Sequence, residues 1–363
     1  VEAQQFSTDF DGIIAGDPAI GLAIAGFNWN DEALLKTLPH TWLPPEKLVL
    51  VDHAVLDSCD DVDGVNDGLI QDPRKCTFDP AVLQCAAGDP NPDADPLCLS
   101  AGQIKTLRAI YQGPITSKGV RLYPGFTKSD PSSDPDDPGN ADGWPLWITG
   151  ASLPTFPRPD EPWAVPDTSN VSSFLASPLQ WTFQDQYMKF FVFGDATFNS
   201  LTFSINNATQ LNALVAESTL NDGDAAIANL KPFRNAGGKL ILYHGWSDPA
   251  LTPLETVQYY KRVVNKTSGG DIIATRGFAR LFMVPGMHHC GGGPGPNVFD
   301  MVDALDAWVT AHKAPDSVVA LHFFENVFPP DPTAFIDRTM PLCAFPETAH
   351  FLGGNKFVAT SWK

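Results

Sequence analysis

The sequence has 363 residues and a mass of 39.2 kDa, of which 43% are hydrophobic and 11% aromatic; that is ample chain for a sizeable core and, at about 150 residues per domain, suggests two units. Its net charge of −19, from 42 acidic against 23 basic side chains, excludes the basic footprint of a nucleic-acid or anionic-membrane surface, so neither partner is expected. No run of about 18 consecutive apolar residues occurs, which excludes a membrane-spanning helix.

In chain order, Val1–Phe6 reads as the last turn of a helix whose beginning is missing, and the opening lacks an initiator Met and a basic-then-apolar leader, as in a processed product. Phe10–Gly16 is a short, β-branched apolar run bounded by glycines and predicts a buried strand. An apolar stretch over Leu48–Leu56 leads into the acidic loop Asp60–Gly68. Ser100 and Gln103 form a capping box opening a helix whose Ile104, Leu107, Ile110 and Tyr111 share a face, and Gly113-Pro114 stops it. From there to about Ser200 the chain is rich in Pro, Trp and Phe without a repeat, as an insertion would be. Past Leu220 the pattern changes. A helix over Asp224–Asn235, a strand at Lys239–Tyr243, a helix from a Thr252/Glu255 capping box to Val264, and a strand at Leu281–Pro285 follow one another. A last helix starts near Asn297, with Val298, Val302, Leu305 and Trp308 on one face. Alternating strands and helices predict an α/β fold with a mostly parallel sheet, whose sites lie at the carboxyl ends of strands.

Charged residues are only 18%, while Pro (33) and Gly (29) are frequent, which suits a loop-rich extracellular protein. The sequons at Asn170, Asn207 and Asn265 point the same way, to a secreted glycoprotein. None of the six cysteines has a C-x-x-C spacing. In an oxidising compartment they read as local bridges Cys59–Cys76 and Cys85–Cys98. Cys290 and Cys343 then pair with each other or with partners outside the chain.

Asp248, in His244-Gly-Trp-Ser-Asp248, and His289, in Gly286-Met-His-His-Cys290, follow two consecutive strands and suit an orienting acid and a general base. Acid before base is the chain order of α/β-hydrolases, but no G-x-S-x-G nucleophile elbow occurs. Gly245-Trp-Ser247 is the nearest imitation; its Ser abuts Asp248 and the second glycine is lacking. Beside the truncated helix at the start, this places the expected serine a short distance upstream of Val1. The loop Asp60–Leu69 gathers Asp60, Asp61, Asp63 and Asp67 between Gly64 and Gly68, hard oxygen ligands on a turning backbone as calcium prefers. It is not an EF-hand, because counting from Asp63 puts Arg74 where the bidentate Glu belongs.

Taken together, Glu2–Phe6 through Phe10–Ala19, Cys59–Gly68, Tyr243–Pro249 and Pro285–Cys290 resemble the fungal tannase and feruloyl esterase family across most of the chain. The resemblance implies an α/β-hydrolase core with a large inserted lid: core at 1–46, lid with the calcium loop at 47–220, and core again at 221–363, the N-terminal part of the core being absent. It further implies a Ser-Asp-His triad whose serine follows a cysteine bridged to the cysteine after the histidine. Asp248 matches the acid, His289 the base and Cys290 the bridging cysteine, which makes this chain one piece of a nicked precursor with the nucleophile on a disulfide-linked second chain. The resemblance also points to calcium ligands from the side chains of Asp60, Asp63 and Asp67 and the carbonyls of Val65 and Leu69, in a structural role. Cys343 then has no partner in sight, and the role of His288 is open. The Trp- and Phe-rich stretch Trp144–Phe203 offers core, or aromatic walls for a phenolic substrate. The expected activity is that of a secreted serine esterase on galloyl esters, without an organic cofactor. A feruloyl esterase is the nearest rival, and a non-catalytic, calcium-stabilised phenolic- or glycan-binding protein is the rival from another class.

Overall fold

The computed structural model describes residues 1–129, 131, 143–156, 161–163, 177–221, 227–324 and 335–363. The chain divides into two compact units, Val1–Ile20 with Ser58–Cys76 and Asp222–Lys363, and Gly21–Asp57 with Thr77–Asn221.

The first unit is built on a parallel sheet of three strands in the order β1 (Gly12–Gly16), β2 (Lys239–Gly245) and β3 (Ala279–Val284). Ile13 lies opposite Leu240, and Leu242 opposite Leu281. Every residue of β3 is buried, as expected for a strand covered on both faces. The period of two then sorts the side chains. Leu240, Leu242, Leu281 and Met283 pack with Val257, Tyr260, Val263 and Val264 of the helix Pro253–Ser268. Ile241, Phe282 and Val284 point the other way, to Leu305 and Trp308 of the helix Met301–Ala311. Each such apolar side chain contributes about 1.5–3 kcal/mol relative to an exposed position. An antiparallel pair, β4 (Ser317–Phe323) with β5 (Ile336–Cys343), completes this unit's regular strands among the described residues.

Several elements differ from expectation. The helix expected over 224–235 is described only as Lys231–Asn235, with Pro232 in its first turn; residues 222–226 lie outside the described set. The last helix begins later than Asn297, because Asp300 caps it by accepting the Asp303 N–H at 2.9 Å while Val298 bridges Leu321. Its core-facing stripe therefore has Met301 and Trp308 buried with Leu305 partly buried beside them, and Val302 is 68% exposed. Thr252 caps the helix Pro253–Ser268 by accepting the Leu254 N–H, but Glu255 pairs with Arg262 Nη2 at 2.7 Å rather than closing a box. The units also divide the chain differently from the expected boundaries at 46 and 220. The acidic loop belongs with the sheet, because Val65 and Leu69 are buried with Met340, Ala349 and Trp362.

The second unit is helical among its described residues, with Ala23–Leu35, Ala101–Gln112, Leu179–Tyr187 and Ala208–Asn221 as its longer helices, and most of Pro45–Cys59. Residues 21–46 belong here because the helix Ala23–Leu35 is fastened inside this unit: Trp29 Nε1 donates to the Ala109 carbonyl at 2.8 Å and Asn30 Nδ2 to Gln180 Oε1 at 2.9 Å. Both hydrogen bonds of the Ser100/Gln103 capping box are formed. Asp31 is fully buried, and burial together with the charge of Asp185 pushes its carboxyl well above the usual range, with Gln184 offsetting this only in part. A raised folded-state pKa makes the carboxyl increasingly destabilising as pH rises past its unfolded value of about 4. Asp31→Asn is therefore expected to raise the melting midpoint at pH 7 by a few degrees and to leave it nearly unchanged at pH 4, read by thermal denaturation at both pH values. No helix among the described residues is long and apolar enough to cross a membrane.

Candidate active site

The carboxyl ends of β1, β2 and β3 bring Asp17, His244, Asp248 and His289 together. The turn after β2 is drawn against the loop after β3, with the Ser247 N–H donating to the Met287 carbonyl at 3.2 Å. Only glycine permits that approach, since a Cβ on Gly245 would lie 2.2 Å from the Met287 oxygen. Asp248 is fully buried. Its Oδ1 accepts the backbone N–H groups of Ala250 at 2.7 Å and Leu251 at 2.8 Å, which fixes the carboxylate. Its Oδ2 faces two imidazoles, His289 Nδ1 at 2.9 Å and His244 Nε2 at 3.0 Å. Burial opposes the charge, but the hydrogen bonds and charges of the two histidines overcome it and hold the Asp248 carboxyl well below the usual range.

His289 stands at the protein surface side of this pair, its side chain 18% exposed, whereas the neighbouring His288 is turned inward and buried. Desolvation disfavours the imidazolium of His289, yet the bond to Asp248 and its charge prevail and raise the pKa above the ordinary histidine value. A base raised by a buried carboxylate on Nδ1 is a proton acceptor on Nε2, which is what activation of a hydroxyl nucleophile requires.

Asp17 and His244 escaped the sequence reasoning. Asp17 follows β1 directly with a φ of 41° and accepts the Gly245 N–H on Oδ1 at 2.9 Å. Burial, with the charge of Asp248, pushes its carboxyl up to about 6 against the opposing pull of His244. The signal that could have found both is their position at the carboxyl ends of adjacent parallel strands.

The acidic loop lies against this region. Leu69 packs on Gly286, whose φ of +67° and lack of a Cβ permit contact; a Cβ there would meet Leu69 Cδ2 at 2.6 Å. Arg74, gripped by Asp72 at 2.6 and 2.8 Å, lays its guanidinium 5.2 Å from the ring of the buried Trp246 beside the acid. Within the loop, Asp60 accepts the N–H groups of Asp67 at 3.2 Å and Gly68 at 2.8 Å, and Asp63 those of Val65 and Gln71. Burial and the charges of Asp60 and Asp63 raise the Asp67 carboxyl to about 6, although Arg338 pulls the other way. Clusters whose ligand atoms all lie within 4.8 Å of one another are, among the described residues, Cys85–Asp89–Cys98 and Asp17–His244–Asp248, not this loop. Its donor chemistry nevertheless fits a hard divalent cation: three carboxylates feel one another's charge on a loop whose glycines, Gly64 and Gly68, take positive φ.

Cys59 is joined to Cys76 and Cys85 to Cys98, while Cys290 is an exposed thiol and Cys343 a half-buried one, so the option of a bridge between these two is not what the structure holds. Asn207 and Asn265 are exposed, but the sequon hydroxyl of Thr267 is buried and bonded to the Ala228 carbonyl at 2.8 Å. Asn170 lies outside the described residues. In the aromatic stretch, Trp144, Trp163 and Trp181 are core, and Phe183, Phe190 and Phe191 are exposed.

A family model described as tannase and feruloyl esterase matches residues 1–363. Mono(2-hydroxyethyl) terephthalate hydrolase of Piscinibacter sakaiensis is 31% identical over 394 aligned residues, covering 97% of this chain and 59% of that protein. The crystal structure of feruloyl esterase B from Aspergillus oryzae superposes with a TM-score of 0.77 at 21% identity, covering 100% of this chain and 65% of that one. Tannin acyl hydrolase from Aspergillus niger superposes at 0.67 with 19% identity, covering 98% and 60%. The chain thus spans about three-fifths of the length of the curated relatives it matches. The whole-length match and the shared fold lead to one conclusion: this chain belongs to the tannase and feruloyl esterase family.

Proposed function

We propose that these 363 residues carry the acid and base of a secreted serine esterase that cleaves galloyl esters, in an α/β-hydrolase core whose inserted segment serves as lid. The observation that carries the reading is the 2.9 Å contact of His289 Nδ1 with the buried Asp248 at the ends of adjacent parallel strands. In this reading a serine outside the chain, on a partner tied through Cys290, attacks the ester carbonyl. His289 takes its proton and returns it to the leaving alcohol, and Asp248 stabilises the imidazolium. The absence of a G-x-S-x-G elbow from the sequence supports an external nucleophile. Parallel assays on methyl gallate and methyl ferulate test the substrate class. Faster turnover of the gallate supports it; faster turnover of the ferulate gives the site to hydroxycinnamoyl esters, and binding without turnover of either favours a non-catalytic phenolic-binding protein.

His289's raised pKa sets the pH response. As pH falls through that value the base is protonated and lost. The acidic limb of kcat/KM is therefore expected above the ordinary histidine value of about 6.5, measured as a pH–rate profile.

The same reading assigns the side chains of Asp60, Asp63 and Asp67 and the carbonyls of Val65 and Leu69 to a structural calcium ion, which would add positive charge to that which Arg338 offers Asp67. A chelator is expected to lower the melting midpoint by about 5–10 °C in the parent and to do little to Asp63→Ala, by calorimetry with calcium add-back.

A further inference from the structure

His244 is fully buried at the end of β2 and has no part in the proton transfer assigned to His289. Its Nε2 faces acceptors, Asp248 Oδ2 at 3.0 Å and the Leu251 carbonyl at 3.0 Å, with Asp17 Oδ1 at 3.8 Å. That nitrogen therefore carries a proton and donates whether the ring is neutral or charged. Its Nδ1 lies 2.7 Å from Thr256 Oγ1, a hydroxyl able to serve as donor or acceptor. The oxygen on which His289 leans thus receives a second imidazole N–H, from His244.

We propose that His244 is a positioning residue of the acid–base pair: its Nε2–H holds Asp248 Oδ2 toward His289 and withdraws part of the negative charge that Asp248 lends to His289. The proposal rests on the reading of Asp248 and His289 as acid and base. The titratable groups around His244 are Asp17 from the end of β1, Asp248 and His289 from the two loops, with Tyr243 and Cys290 beyond Asp17; Glu255 of the adjoining helix is paired with Arg262. The direction of the effect follows. A donor on Oδ2 competes with His289 Nδ1–H for the same oxygen, and a proton on His244 repels one on His289. Both lower the basicity of His289, so removing the donor raises it.

The test is an NMR titration of the purified protein with isotope-labelled histidine rings, eight in all, with the His289 signal assigned by its loss in His289→Gln. His244→Leu, which has no donor, and His244→Asn, whose amide is too short to reach Oδ2, are expected to raise the His289 pKa by about one unit. His244→Gln, which keeps a donor at that distance, is expected to restore it to within about 0.3 unit. The Asn variant serves if the Leu variant does not fold. A His289 pKa unmoved in the variants without the donor, or moved equally by Gln, overturns the proposal. The titration needs no ester turnover, so a parent protein that hydrolyses no ester sinks the functional reading separately.

Discussion

Replacing His289 with Ala is expected to lower kcat/KM on a phenolic ester by about 10⁴-fold or more while leaving the fold intact. The size of the loss follows from the role. Without a base the serine hydroxyl stays protonated, and what survives is the catalysis of an oxyanion hole and of binding. The fold tolerates the change because the His289 side chain is part-exposed on a loop, and Asp248 keeps the N–H groups of Ala250 and Leu251 and the ring of His244. Loss of one charge-assisted hydrogen bond costs about 1.5–3 kcal/mol. Steady-state kinetics beside a melting curve checks both halves. An intact, folded variant with undiminished turnover removes His289 from the chemistry.

Asp248→Asn is expected to cost about 10⁴-fold in kcat, with an altered pH profile. The backbone N–H groups of Ala250 and Leu251 already occupy Oδ1, so they hold the oxygen of the substituted amide on their side. The amide NH₂ then takes the place of Oδ2, facing His289 Nδ1 and His244 Nε2. A donor now stands where both rings had an acceptor. His289 answers by moving its proton to Nε2, which turns the intended base into a donor toward the nucleophile. His244 has no such escape, because its Nε2 also faces the Leu251 carbonyl, which can only accept and so keeps the proton on that nitrogen. The variant should therefore lose stability as well as rate, and the two losses separate by comparing melting midpoints with kcat. Retention of full kcat in a folded variant would place the orienting acid elsewhere.

How much of this was legible in the sequence depends on which kind of pattern each element carries. The strands Gly12–Gly16, Lys239–Gly245 and Ala279–Val284 stood out as short apolar runs between turn residues, although only the last is buried throughout and the first, expected to be buried, is part-exposed along its length. Asp248 and His289 were found by position at the ends of two of them, and the structure puts them in contact. The pair β4–β5 was missed because Val318, Val319, Ala320 and Leu321 are consecutive apolar residues of which only Ala320 is buried, so no alternation marks a face. The helix Ala23–Leu35 was missed for a related reason: its buried positions include the polar Asn28, Asn30 and Asp31, which blur a helical stripe. His244 and Asp17 show the limit most clearly. Nothing in a linear pattern says that a histidine four residues before an acid will bond to it, or that an aspartate 228 positions before Gly245 will accept that residue's N–H. Strand ends mark where the two residues lie, but the first contact comes from the turn after Gly245 and the second from the register of the two strands.

In the proposed function, Asp248 and His289 activate a serine carried outside these 363 residues and tethered at Cys290. Labelling the unreduced, purified protein with a serine-reactive fluorophosphonate, then mapping the labelled peptide by mass spectrometry with and without reductant, tests it most directly. One labelled serine is expected on a peptide foreign to this sequence, joined to the Cys290 peptide until reduction and left unlabelled in the His289→Ala protein. Label on a serine of this chain, such as Ser247, or no label on a protein that still cleaves esters, would contradict it.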